Sequence, residues 1–132
     1  MSVVFVDTSA LYAVLDRDDS NHARAAAIWP GLLRESTLVT HNYVLVETAA
    51  LIQHRLGLGA ARALATEIVP LLSVGWIDQH RHAAAQHAVL AAARKRLSLV
   101  DCASFLVMRE CGIEQAFCFD AHFKEQGFEV LP

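Results

Sequence analysis

Four carboxylates fall where a polar side chain is least expected. Asp7 closes the apolar run Ser2–Val6 (SVVFV), and Asp120 closes a second such run, AFCF. Glu47 is the only acidic residue between Glu35 and Glu67, inside the stretch NYVLVETAALIQ, where most helical faces are apolar. Asp101 follows Ser98 by three residues in SLVD. A carboxylate among apolar neighbours must find a partner or change its protonation state. Brought together, such groups repel and resist joint ionisation. A hard divalent cation removes that conflict, and oxygen ligation favours Mg²⁺ or Mn²⁺. The ion would lower the pKa of a water and neutralise charge building on a phosphoryl group. Each acid also has a local alternative. Asp7 can cap a helix, Ser98 and Asp101 can form a capping box, and Asp120 can be a turn residue. Glu47 has no such alternative, and the four together argue for a shared site. No other nucleophile motif competes, for GxSxG, a P-loop and a dinucleotide fingerprint are all absent.

The elements that would position these groups alternate between strand and helix. Ser2–Val6 reads as a strand buried on both faces, and Thr8 or Ser9 as the cap of a helix over Ala10–Leu15. Asp16–Ser20 is a loop, and Ser20 or Asn21 caps a helix over His22–Leu33 that Pro30-Gly31 should break near its end. Thr37–Thr40 is a second strand, and His41-Asn42 opens a helix ended by Gly57 and Gly59. A helix over Ala60–Leu71, a strand over Val74–Ile77 and an Ala-rich helix over Arg81–Arg96 follow. Ser98 caps the next helix, which Gly112 stops. Gln115–Phe119 is a fourth strand, Ala121–Gln126 a turn of helix, and Phe128–Leu131 an edge strand. Such alternation implies an α/β fold, a central parallel sheet of four to five strands with helices on both faces, as one domain over residues 1–132. In open parallel sheets, ligands bind beyond the carboxyl ends of the strands, where Asp7 and Asp120 both fall. Topology does not place Asp101, because a helix precedes it.

Composition narrows the classes. Apolar residues make up 55% of the 132, enough for a substantial core, and no apolar run approaches the roughly 20 residues of a membrane span. The start, MSVVFVDTSA, lacks the basic segment of a signal peptide. Cys102, Cys111 and Cys118 lack metal-ligand spacing and read as buried, reduced thiols of a cytoplasmic protein. The net charge of −3 runs against the basic excess of most nucleic-acid binders, unless bound metal reverses the sign locally. Arg94-Lys95-Arg96 is the densest basic run; a solvated helix end is its default reading, and closeness to Asp101 makes it a candidate for steering phosphate. His80, His82 and His87 lack a nearby partner ligand and read as surface residues. Trp29, Trp76, Phe105 and Phe123 read as core.

The segments FVDTSAL around Asp7, NYVLVET around Glu47, SLVDCAS around Asp101 and CFDAHF around Asp120 resemble, in order and spacing across the whole chain, the PIN domain. The resemblance is to the VapC toxins of bacterial toxin–antitoxin pairs in particular. It implies a doubly wound fold and a metal-dependent endoribonuclease that leaves a 5′-phosphate and a 3′-hydroxyl. The acids matching Asp7 and Asp101 would hold the metal directly, and those matching Glu47 and Asp120 would complete the site, often through water. The hydroxyl of Thr8 or Ser9 resembles the family's supporting group. One departure is Cys118, where relatives commonly carry Thr, so Asp120 would lose a hydroxyl that orients it. The resemblance also implies an RNA substrate, a small antitoxin partner that reaches the acids with a basic side chain, and a homodimer burying Ala, Leu and Val from the early helices. Two other readings compete. One is a non-catalytic PIN-like module that binds RNA or protein, which need not keep four acids. The other is a phospho-acceptor receiver domain, which needs an acidic pair after the first strand where this chain has Thr8-Ser9.

Overall fold

A computed structural model describes residues 2–131. Five strands, β1 (Ser2–Val6), β2 (Ser36–His41), β3 (Ser73–Gly75), β4 (Gln115–Phe117) and β5 (Glu129–Leu131), form one sheet in the order β3-β2-β1-β4-β5. All four pairings are parallel. The flanking helices are α1 (Thr8–Leu15), α2 (His22–Glu35), α3 (Asn42–Leu56), α4 (Leu58–Ala63), α5 (Gln79–Ala92), α6 (Leu99–Glu110) and α7 (Ala121–Glu125). Chain order reverses between β1 and β4, with Val6 beside Phe117 in the register. That reversal opens the crevice at the carboxyl ends in which α/β sheets bind ligands.

The core follows from the apolar patterning. Phe5 of β1 and Phe117 of β4 are fully buried, with Leu11, Ile52, Met108 and Phe123 around them. Phe105 packs edge-on against Phe123, and Trp29 stacks over Phe117 at a half-buried position. Trp76 departs from the expectation of a core residue: it is 66% exposed. It lies after the third strand, which ends at Gly75 rather than Ile77, because the Ile77 N–H turns away to donate to the Asn42 side-chain carbonyl.

Several boundaries moved for identifiable reasons. The Asp7 carboxylate, and not Thr8 or Ser9, caps α1. Helix α2 runs through Pro30 to Glu35. Pro30 and the residue a turn earlier, Ala26, both face solvent, so the carbonyl freed by the missing N–H meets water and the packed side of the helix holds. Asn21 precedes α2 without capping it. The expected helix Ala60–Leu71 is α4 followed by a π turn over Leu64–Ile68 and a 3₁₀ turn at Val69–Leu71. Helix α5 stops at Ala92, with Ala93 in the left-handed region, so the basic run occupies a turn and not a helix end. Helix α6 ends at Glu110 with Cys111 as its C-cap, and Gly112 supplies the expected stop, its φ of 65° suiting glycine.

Candidate active site

Three of the four acids meet at the crevice, each at a helix start. Asp7 leaves β1 and caps α1: its Oδ2 accepts from the Ser9 N–H at 3.3 Å and the Ser9 hydroxyl at 2.9 Å. Asp101, in the first turn of α6, closes a capping box, its Oδ2 accepting from the Ser98 N–H at 3.1 Å while Ser98 Oγ accepts from the Asp101 N–H at 3.1 Å. Asp120 follows β4 and caps α7, Oδ1 accepting from the His122 N–H at 2.8 Å. In each carboxylate one oxygen serves the local backbone and the other keeps free valence. No fully buried side-chain oxygen or nitrogen lacks a partner among the described residues, so those free oxygens face the solvent of the crevice. Capping and site are therefore not rival readings, because each acid does both.

Electrostatics tie the three together. Asp7 is buried, and burial raises its carboxyl from 3.8 to about 6; the Ser9 hydrogen bonds oppose the rise and the charges of Asp101 and Asp120 add to it. Burial raises Asp101 too, with the Ser98 N–H holding it down and the Asp120 charge pushing it up. Ligand atoms of Asp101, Asp120 and His122 lie within 4.8 Å of one another, a spacing one cation can span. The sequence reading missed His122; the only signal for it was its place two residues after Asp120.

Glu47 sits apart. It is exposed, on the rim of a groove beside Tyr43, Val46 and Val100, and outside the group that Asp101, Asp120 and His122 form. The expectation that apolar neighbours would force it to find a partner is wrong, because α3 turns that face outward.

The supporting contacts are specific. Ser9 Oγ donates to Asp7 and accepts from the Phe119 N–H at 2.9 Å, joining the exits of β1 and β4 through one hydroxyl. Thr8 is buried and accepts from the Thr48 hydroxyl at 3.1 Å, which anchors α1 to α3 instead of touching an acid. Thr40 Oγ1 donates to the Val6 carbonyl at 2.9 Å, fixing the strand end before Asp7. His41 is fully buried between Ser104 Oγ and the Val44 N–H, and burial lowers its pKa to about 4, so it is a neutral structural cap. Cys118 is buried beneath the acids, and burial with their charges pushes its thiol up to about 12. Its sulfur reaches the Asp120 backbone carbonyl at 3.8 Å, so it does not orient the carboxylate as a hydroxyl would. Cys102 is also buried, whereas Cys111 is exposed, against the expectation of three buried thiols.

Among the expected surface groups, His80 and His87 are exposed, while His82 is half-buried and hydrogen-bonded to the Tyr43 hydroxyl. Of the basic turn, Arg94 pairs with Glu125 at 3.1 Å, and Lys95 and Arg96 are exposed. The donor set suits a hard divalent ion: three carboxylates with free oxygens stand at one crevice, two of them, Asp7 and Asp101, raised in pKa by burial and further by neighbouring charge. No helix among the described residues is long and apolar enough to cross a membrane.

Comparison with known proteins gives the family and the fold. The PIN domain family matches residues 4–129. The 23S rRNA-specific endonuclease VapC20 of Mycobacterium tuberculosis is 33% identical, with 98% of this chain and 99% of that protein covered. Its crystal structure, described as that of a sarcin–ricin loop cleaving toxin, superposes with a TM-score of 0.88 at 34% identity over 99% of this chain and 100% of that one. FitAcB from Neisseria gonorrhoeae, with a TM-score of 0.69 at 14% identity over 98% of this chain and 96% of that one, shares the fold. So does VapBC2 from Rickettsia felis, solved with a fragment of promoter DNA, at 0.66 and 6% over 97% and 96%.

Proposed function

The chain belongs to the PIN domain family, and we propose that it is a divalent-metal-dependent endoribonuclease, the toxin of a VapBC-type pair. The observation that carries this is the convergence of Asp7, Asp101 and Asp120 at the strand-order reversal, each with one oxygen committed to a cap and one left free. In this reading Asp7 and Asp101 hold Mg²⁺ or Mn²⁺ directly, and Asp120 and Glu47 complete the site through water, with His122 alongside. The ion, when bound, supplies positive charge against the phosphate and acidifies water. Ser9 fixes the Asp7 carboxylate through Oδ2 and so aims Oδ1 into the crevice. Water displaces the 3′ oxygen from phosphorus, leaving a 5′-phosphate and a 3′-hydroxyl. The turn Arg94–Arg96, which leads directly into Ser98 and Asp101, steers the RNA backbone toward the acids.

The similarity to a 23S rRNA-specific endonuclease over the whole chain supports RNA as substrate and makes 23S rRNA the first RNA to try. Structural likeness to a toxin–antitoxin complex supports a small antitoxin partner, which would satisfy the carboxylates with a basic side chain in place of metal. A homodimer through the early helices and a cytoplasmic location complete the proposal. The test is purified protein incubated with ribosomal and unstructured RNA in Mg²⁺, Mn²⁺ or EDTA, beside Asp7→Asn. Metal-dependent cleavage lost in the variant is expected; cleavage equal in EDTA or in Asp7→Asn would refute the assignment.

A further inference from the structure

We propose that the recess between α2 and α7, beside Asp120, binds an RNA phosphate neighbouring the one cleaved, with Arg24 and Lys124 as its cations; the proposal rests on the ribonuclease reading of the acids. The recess has a volume of about 250 Å³ and is lined by Asn21, Arg24, Cys118, Phe119, Asp120 and Lys124, among others. Asp120 belongs both to this wall and to the carboxylate group, so a ligand here sits next to whatever the acids hold.

Arg24 is exposed yet held in place. Its guanidinium lies 5.1 Å from the Phe119 ring centroid and donates to the Asn21 side-chain carbonyl. That bond accounts for Asn21, which stands at the N-cap position of α2 without capping it. The ion pairs among the described residues are Arg81–Glu110 and Arg94–Glu125, and the His122 ring hydrogen-bonds Glu125. Among the described residues Arg24 and Lys124 are thus without a carboxylate partner, although the chain carries 14 acidic residues against 11 basic and Asp120 lines the same recess. A cation fixed by a ring and an amide keeps its remaining N–H donors for a phosphate, which guanidinium matches in geometry. Lys124 adds a compact charge on the opposite helix. The Phe119 face is occupied by Arg24, so no base stacks there, and the contact positions RNA without reading its sequence.

The test uses the whole protein in two assays. Cleavage kinetics with Mg²⁺ are followed across a salt series, and binding of a fluorescent single-stranded RNA is followed in EDTA. For Arg24→Ala with Lys124→Ala, KM should rise roughly tenfold with kcat within about twofold. The salt slope should become shallower by about 0.7 for each phosphate that the protein no longer neutralises. Arg24→Lys should recover part of the affinity. Lys124→Glu, at an exposed side chain with no hydrogen-bond partner among the described residues, carries the test should Arg24→Ala fail to fold. Unchanged KM and salt slope in the double variant or in Lys124→Glu would overturn the subsite and leave the nuclease intact. If wild type cuts no RNA, the nuclease reading fails separately. The binding assay then decides the recess: RNA affinity that falls in the variants supports it, and affinity that does not fall overturns it.

Discussion

Removing the Asp7 charge should stabilise the protein when metal is absent. Burial, with repulsion from Asp101 and Asp120, raises the Asp7 carboxyl from 3.8 to about 6 in the fold. At about 1.4 kcal/mol per pH unit, that rise means the ionised group opposes folding by about 3 kcal/mol at neutral pH. The sign follows from linkage: a raised carboxyl pKa makes the folded state bind more protons, so the penalty is absent below about pH 4, grows through pH 5, and is complete above about pH 6. Asp7→Asn keeps an oxygen for both Ser9 donors and turns its NH₂ toward the neighbouring acids. Part of the 3 kcal/mol goes to imperfect amide geometry, so a gain of about 1–3 kcal/mol at pH 7.5 is expected, a melting rise of roughly 3–10 °C. The assay is thermal melting of wild type and variant in EDTA at pH 4, 5, 6 and 7.5, repeated with Mg²⁺ or Mn²⁺ at matched ionic strength. Metal at a hundredfold excess over its dissociation constant should stabilise wild type by roughly 2.7 kcal/mol and the variant much less. A less stable Asn variant in EDTA at pH 7.5, with a deficit unchanged down to pH 4 and no metal response in wild type, would reduce Asp7 to a helix cap.

Four further outcomes test other parts of the site. Asp101→Asn should abolish most cleavage with the fold intact, whereas Glu47→Gln and Asp120→Asn should be impaired and partly restored by more metal; equal losses in all three would refute the division between direct and water-mediated ligands. Ser9→Ala strips the Asp7 oxygen of a donor and orphans the Phe119 N–H, so unfolding titrations should show a loss of about 1–3 kcal/mol, and a neutral result would contradict the bridging role. A thiol reagent should label Cys111 quickly and leave Cys118 unreacted until the protein unfolds; rapid labelling of Cys118, mapped by peptide mass, would show the floor of the site to be open. Light scattering should report a homodimer and pull-down from the native host a small partner, and a monomer at high concentration would remove the dimer.

Strand and helix order could be read from the sequence because the strands are short apolar runs and helices such as α3 and α6 are stopped by glycines, Gly57 and Gly112. Asp7 and Asp120 were legible for the same reason, as polar residues closing apolar runs in a parallel sheet. Asp101 was visible only as a capping residue, since its approach to the other two depends on how α6 packs. Glu47 shows where one-dimensional reading fails. Apolar neighbours along a helix do not say which face turns to solvent, and α3 exposes Val46 and Glu47 while burying Val44 and Thr48. His122 and the pairing of Arg24 with Phe119 were invisible, because they join residues whose contact depends on α7 or on the approach of α2 to the end of β4.

The competition between cap and ligand also explains why the cluster is tolerable. Carboxylates at helix N-termini gain about 0.3–1 kcal/mol from the dipole, and Asp7 and Asp101 open helices of eight and twelve residues. That is smaller than the roughly 3 kcal/mol by which burial and repulsion oppose the Asp7 charge. Capping therefore accounts for the position of each acid but not for their gathering. A chain selected only for helix caps would do as well with Ser or Asn in place of Asp7 and Asp120 and with Gln in place of Asp101, where no charge has to be buried. Three ionisable caps sharing one crevice make physical sense when a cation supplies the missing stabilisation. The free oxygen that each carboxylate keeps is where that cation would bind.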